Sequence, residues 1–143
     1  MIVSDFIVRY LIENGITDVF GYPGGMVTYL MDSFRKYSGE ITAHLTYHEQ
    51  GAAFAANAYA QVSDNFGVAI SSSGPGAINM INGIANAFYD SIPCLFITGN
   101  INTASMRKDD SIRQNGFQEA DIVSMVKGIT KYAVTVSNAG DIK

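Results

Sequence analysis

Apolar residues first recur at helical spacing: Phe6, Ile7, Tyr10 and Leu11 share one face. A helix is expected from Ser4, as its cap, through Asn14, with Gly15 as its stop. Asp18-Val19-Phe20 is short and strand-like and runs into Gly21-Tyr22-Pro23-Gly24-Gly25. A second helix is expected over 27–37, with Gly39 behind it, and a second strand over 41–45. The alanine-rich stretch 49–62 reads as a helix whose small side chains permit close packing. Residues 67–71 form an apolar strand ending in Ser72-Ser73-Gly74-Pro75-Gly76, followed by a helix over 77–88. The run 93–98 is another buried strand, closed by Gly99. Strand, glycine-rich turn and helix alternate. That order predicts an α/β domain: a three-layer, open, mostly parallel sheet with helices on both faces and right-handed crossovers.

The rhythm breaks over 100–115, where Arg107, Lys108, Asp109, Asp110 and Arg113 predict a surface loop with room for a short helix. A helix is expected again over 117–126 and a strand over 129–136. Ser137-Asn138 and Asp141 read as the start of another helix near the end of the sequence. The expectation is a domain over 1–143 cut from a longer chain at its C-terminus; a frayed natural tail is the alternative.

Composition narrows the class. Hydrophobic residues make up 48% of 143 residues, enough for one domain with a real core. Only 15% of residues are charged, against roughly 25% in a typical soluble domain, so part of the surface is expected to be covered by something else. With 13 acids against 9 bases the net charge is −4, which argues against a basic groove for nucleic acid. The lone Cys94 cannot form an internal disulfide. Neither a secretory signal nor an apolar run of membrane-spanning length is present in these residues. A cytoplasmic domain with no nucleic-acid or membrane partner is expected.

Parallel sheets bind ligands at the carboxyl ends of their strands. Three segments fall at such ends: 21–25, 47–50 and 71–76. Neither GxGxxG nor GxxxxGK[ST] occurs, so dinucleotide and P-loop sites are unsupported. The serines at 71–73 lack the GxSxG elbow, and no histidine follows Pro93 to complete a hydrolase triad. Glu49 stands between a strand and a helix, where a carboxyl can sit in a dry crevice and bond to a bound heterocycle, or else be a solvated first-turn acid. His44 and His48 flank it without zinc-ligand spacing and read as core or surface histidines; no metal site is expected.

Several motifs, taken in order, carry a resemblance: Val19-Phe20-Gly21-Tyr22-Pro23-Gly24-Gly25, His48-Glu49-Gln50-Gly51, Ser73-Gly74-Pro75-Gly76-Ala77 with Asn79, Gly83-Ile84-Ala85-Asn86-Ala87, Asp90-Ser91-Ile92-Pro93, Ile97-Thr98-Gly99, and Phe117-Gln118-Glu119 with Asp121-Ile122. Over nearly its whole length the chain resembles the N-terminal pyrimidine-binding (PYR) domain of thiamine-diphosphate enzymes, most nearly those of the acetolactate synthase type. The resemblance implies a flavodoxin-like fold. It implies that Glu49 hydrogen-bonds N1′ of the aminopyrimidine and holds the tautomer whose 4′-imino group removes the thiazolium C2 proton. It places Tyr22, Pro23 and Gly24 on one wall of the pyrimidine pocket, Ser72, Ser73, Gly74 and Asn79 on the other, and Phe117 and Gln118 at the substrate side.

The implied reaction is decarboxylation of a 2-oxo acid such as pyruvate and addition of the remaining unit to a second molecule, giving 2-acetolactate. Thiamine diphosphate and Mg²⁺ are the implied cofactors, with FAD admitted through a central domain that these residues lack. The GDG…N segment that grips diphosphate and Mg²⁺ is also not among these residues. A homodimer or homotetramer is implied for the complete enzyme, and inactivity for this portion alone. Ile78, Asn100-Ile101 and the long charged loop 103–115 depart from the synthase pattern, leaving another 2-oxo acid or another acceptor open. Two alternatives remain: the PYR half of a split enzyme, or a non-catalytic module pairing through Ala52, Ala55, Ala56 and Ala60.

Overall fold

Four parallel strands lie in the order β2-β1-β3-β4 in the computed structural model, which describes residues 2–109 and 111–142. The elements are α1 (Val3–Glu13), β1 (Asp18–Gly21), α2 (Thr28–Lys36), β2 (Thr42–Leu45), α3 (Glu49–Val62), β3 (Gly67–Ser71), α4 (Pro75–Asn79), α5 (Ile81–Tyr89), β4 (Cys94–Thr98) and α6 (Ile122–Val126). The α/β architecture is therefore the one expected from the alternation, a parallel sheet flanked by helices and consistent with a flavodoxin-like PYR domain.

The strand β3 explains the layering. All five of its residues are buried, and successive side chains point to opposite faces. Val68 and Ile70 join the cluster made with α1 and α2, including Val8, Leu11, Leu30 and Phe34. Ala69 joins the opposite cluster, with Ala52, Ala53, Ala56, Met80 and Ile84. Full burial of a side chain such as Leu11 or Phe34 is worth about 1.5–3 kcal/mol.

Around the second cluster, two glycines let α3 approach the sheet and α5 closely. A Cβ at Gly67 would overlap the backbone of Ala56, and one at Gly83 would overlap Ala53. Asn57, buried in α3, donates from Nδ2 to the Gly83 carbonyl (2.9 Å) and accepts at Oδ1 from the Cys94 thiol (3.2 Å). This corrects the expectation of a small-residue face free for pairing. Ala52, Ala56 and Ala60 are buried within the chain's own core, and Ala55 is half-buried.

Other expectations also change. Ile2, not Ser4, stands at the start of α1, and the Ser4 hydroxyl instead accepts from Ser33 Oγ at 2.9 Å. Asp5 lies beside it, bonded by Ser33 (2.9 Å) and Lys36 (2.6 Å), tying α1 to α2. The helix expected over 77–88 starts earlier, because Pro75 suits a first turn, and it is divided at buried Met80. The helix expected over 117–126 is only α6, capped by Asp121, which accepts from the Ser124 N–H at 3.1 Å. The strand expected over 129–136 does not form. A 3₁₀ turn at Lys127–Ile129 gives way to irregular chain with Tyr132, Val134 and Val136 exposed. The helix expected after Ser137 is a 3₁₀ turn at Ala139–Ile142. Over 100–115 the expected loop and short helix appear as a loop with a 3₁₀ turn at Thr103–Ser105; Asp110 lies outside the described residues.

Candidate functional site

The strand order reverses direction between β1 and β3, and in open parallel sheets such a switch point is where a ligand crevice lies, beyond the carboxyl ends of the strands. The chain leaves β1 through Tyr22-Pro23-Gly24 and β3 through Ser72-Ser73-Gly74, and the two turns run against each other. The Tyr22 N–H reaches the Ile70 carbonyl at 3.4 Å. A Cβ at Gly24 would lie 2.5 Å from Ser72 Cβ and 2.7 Å from its Oγ. Gly24 therefore allows a contact between turns that alanine would obstruct.

Glu49 enters from the neighbouring strand. After β2, the Thr46 N–H donates to the Gly21 carbonyl (2.9 Å), steering the chain toward the same edge. His48 then caps α3, with Nδ1 accepting from the Gln50 N–H at 3.2 Å. Glu49 is the first residue of α3 and is half-buried. Its Oε2 accepts from Asn79 Nδ2 at 3.0 Å, at the end of α4. Its Oε1 would be 3.0 Å from a Cβ at Gly76, so glycine there keeps that oxygen clear.

Gln118 supplies the last side. Its φ is +56°, as is that of Gly74, and the Gln118 carbonyl packs where a Cβ at Gly74 would stand. Phe117 is 75% exposed beside it. The turn 22–24, Glu49, the turn 72–74, Asn79 and Gln118 thus meet along one edge of the sheet. Tyr22 and Pro23 are exposed, whereas Ser73 and Gly74 are buried.

The other histidine, His44, stacks on Phe20 with ring centroids 5.1 Å apart and contacts Asp18 through Nε2 at 2.6 Å. Its bond to Asp18, with that from Thr17, holds the Asp18 carboxyl below the usual range. Both histidines thus have structural partners. The bond from Asn79 to Glu49 and the role of Glu119 in the adjoining loop were not evident from sequence, since each joins residues that are distant or separated by a loop. A positive φ at Gln118 has no local signature in a glutamine.

Residues 1–125 match the family model described as thiamine pyrophosphate enzyme, N-terminal TPP binding domain. The chain belongs to this family. Relatives agree with that placement. The chain is 41% identical over 139 residues, 97% of its length, to the acetolactate synthase large subunit of Lactococcus lactis, covering 23% of that protein. It is 41% identical to acetolactate synthase 2, chloroplastic, of Zea mays, covering 97% of this chain and 21% of that one. Against the acetolactate synthase isozyme 2 large subunit of Escherichia coli identity is 37%, covering 97% and 24%. The chain spans about a quarter of the length of these relatives or less. It is the N-terminal PYR domain of a thiamine-diphosphate-dependent enzyme type closely related to acetolactate synthase.

Proposed function

We propose that this PYR domain supplies the pyrimidine-holding wall of a carboligase that joins 2-oxo acids, with pyruvate as donor and 2-acetolactate as product. One observation carries the reading: Glu49 is half-buried at the switch-point edge, with Oε2 held by Asn79 and Oε1 receiving no hydrogen bond from the described residues. The residues fit an aminopyrimidine. Glycine at 76 keeps a methyl group off Glu49 Oε1, so a ring nitrogen can approach that oxygen, and glycine at 24 lets the two turns close on each other beside it.

In this reading Oε1 of Glu49 exchanges a proton with ring nitrogen N1′, and Asn79 keeps the carboxyl turned toward it. Tyr22, Pro23 and Gly24 line one wall of the ring's pocket, and Ser72, Ser73 and Gly74 line the adjoining wall, which meets the first where Gly24 packs on Ser72. Thiamine diphosphate, when bound, supplies the electron sink for decarboxylation and carbon–carbon bond formation. Phe117 and Gln118 stand at the substrate side. The diphosphate and its Mg²⁺ are assigned to another domain, brought up by a homodimer or homotetramer in the cytoplasm. Exposed Tyr22, Tyr29 and Tyr47 near the strand ends support a covering partner there.

The test uses the full-length protein that carries this domain. Thiamine diphosphate with Mg²⁺ is titrated calorimetrically, and acetolactate formation from pyruvate is followed. Glu49→Gln is expected to bind the cofactor yet lose about 10²–10⁴-fold in turnover. Wild-type turnover by that variant refutes the role of Glu49. Pyruvate turnover by the 143-residue chain alone refutes the assignment of the missing half to another domain.

A further inference from the structure

We propose that Glu119 is a positioning residue: by clamping the charged loop 105–116 it sets Phe117 and Gln118 against the crevice and so governs how the 2-oxo acid is held. This rests on the proposed function, in which those two residues face substrate.

The clamp is built from backbone donors. Glu119 Oε1 accepts from the Arg107 N–H at 2.8 Å. Its Oε2 accepts from the Asn115 N–H at 2.8 Å and the Gly116 N–H at 3.3 Å. One side chain therefore binds both ends of the loop. Asn115 Nδ2 adds a bond to the Ser105 carbonyl at 3.0 Å. Gly116 is buried against Ile101 so closely that a Cβ has no room. Arg107 also approaches Asp121, the cap of α6, at 3.7 Å. The N–H groups of Asn115 and Arg107 hold the Glu119 carboxyl below the usual range, as donors aimed at an anion do.

The coupling to the crevice runs through a single residue. Gln118 holds φ +56°, a conformation glutamine occupies only when its surroundings impose it. Gly74 meets its carbonyl on the crevice side, and Glu119 is anchored to the loop on the other. Releasing Glu119 frees Gln118 to leave this conformation, and Phe117, already 75% exposed, moves with it. Glutamine cannot replace the clamp. Both carboxyl oxygens accept N–H bonds, and an amide would turn an NH₂ toward one set of donors.

The experiment compares wild type, Glu119→Gln and Asn115→Ala in the full-length protein. The readouts are KM and kcat for pyruvate, calorimetric thiamine-diphosphate affinity, and trypsin cleavage at exposed Lys108 and Arg113. Glu119→Gln is expected to raise KM about tenfold with kcat within about threefold, leave cofactor affinity within about twofold, and speed cleavage about tenfold. Asn115→Ala shifts KM and cleavage in the same direction by less. Faster cleavage with unchanged KM overturns the proposal, as does a parallel loss of cofactor affinity and KM, which marks a general structural defect. Should Glu119→Gln not fold, an unchanged KM and cleavage rate in Asn115→Ala overturn it. A wild-type protein that binds no thiamine diphosphate defeats the proposed function instead, while the cleavage comparison still reads the clamp.

Discussion

Substituting Gly24 with alanine isolates the contact between the two crevice turns. Gly24 has φ −161° and ψ 167°, extended backbone that any residue adopts, so Gly24→Ala introduces no backbone strain. Its cost is the new methyl group, 2.5 Å from Ser72 Cβ, where ordinary contact begins at 3.4 Å. The turns must part by about 1 Å, and overpacking on that scale costs about 1–3 kcal/mol. In the free protein the turns can relax outward. If both grip the same ring, binding must draw them back together, so the strain appears as lost affinity. That amounts to about 5–150-fold in Kd.

Calorimetry of thiamine diphosphate with Mg²⁺ into the full-length protein measures it. Ser72→Gly removes both atoms that the new methyl meets. The double variant should therefore bind within about threefold of Ser72→Gly alone, a positive coupling that independent sites would not show. Unchanged affinity in Gly24→Ala, or a double variant as weak as the product of the two singles, refutes the claim that these turns close on one ligand.

Three further outcomes follow from other contacts. Asn79→Leu removes the donor to Glu49 Oε2 (3.0 Å), a bond worth about 1–3 kcal/mol; pyruvate turnover should fall about tenfold with a smaller change in cofactor affinity, and unchanged turnover refutes the orienting role. The bonds from Lys36 and then Ser33 hold the Asp5 carboxyl below its ordinary range. A depressed folded value means stability present above the unfolded value and lost as pH falls through the folded one, so the melting temperature should drop in strong acid and Asp5→Asn should flatten that drop; parallel acid curves refute it. Burial pushes the Cys94 thiol up to about 11, so at pH 8 only ~0.1% is thiolate and iodoacetamide should label it about 100-fold more slowly in the native than in the unfolded protein; equal rates refute it.

Local chemistry made the sheet legible in the sequence. Strands at 67–71 and 93–98 and a helix at 49–62 were readable from apolar runs, and the observed bounds agree to within a residue. What misled were patterns whose outcome depends on partners. Residues 129–136 have the β-branched and aromatic side chains of a strand, yet a strand needs a ladder, and no strand of the described sheet pairs with them. Ser4 has a capping side chain, but the packing of α1 on α2 gives its hydroxyl to Ser33. The site divides the same way. The glycine turns and Glu49 sit at strand ends that the alternation locates. The bond from Asn79 to Glu49 spans 30 positions, and no local pattern reports it.

The alanine-rich helix ties fold and site together. Read from sequence, its small side chains permit close packing, with a surface for pairing with another protein as the alternative; in the structure the small face acts as a spacer. Gly67 against Ala56 and Gly83 against Ala53 bring α3 to within backbone contact of the sheet and of α5. Asn57 then locks that approach with bonds to Gly83 and Cys94. A helix seated on flexible side chains could settle at several depths. One seated on Cα atoms and a buried amide has a single depth, because close-packed backbone cannot yield. Glu49 is the first residue of that helix, so its position over the crevice is set by contacts on the glycine and alanine side of α3. Phe117 and Gln118 are placed differently, through the loop that Glu119 gathers. Under the proposed function, the cofactor wall is thus mounted on the core and the substrate wall on a clamped loop. On that reading, changes in the loop would alter substrate preference while Glu49 stays fixed by α3.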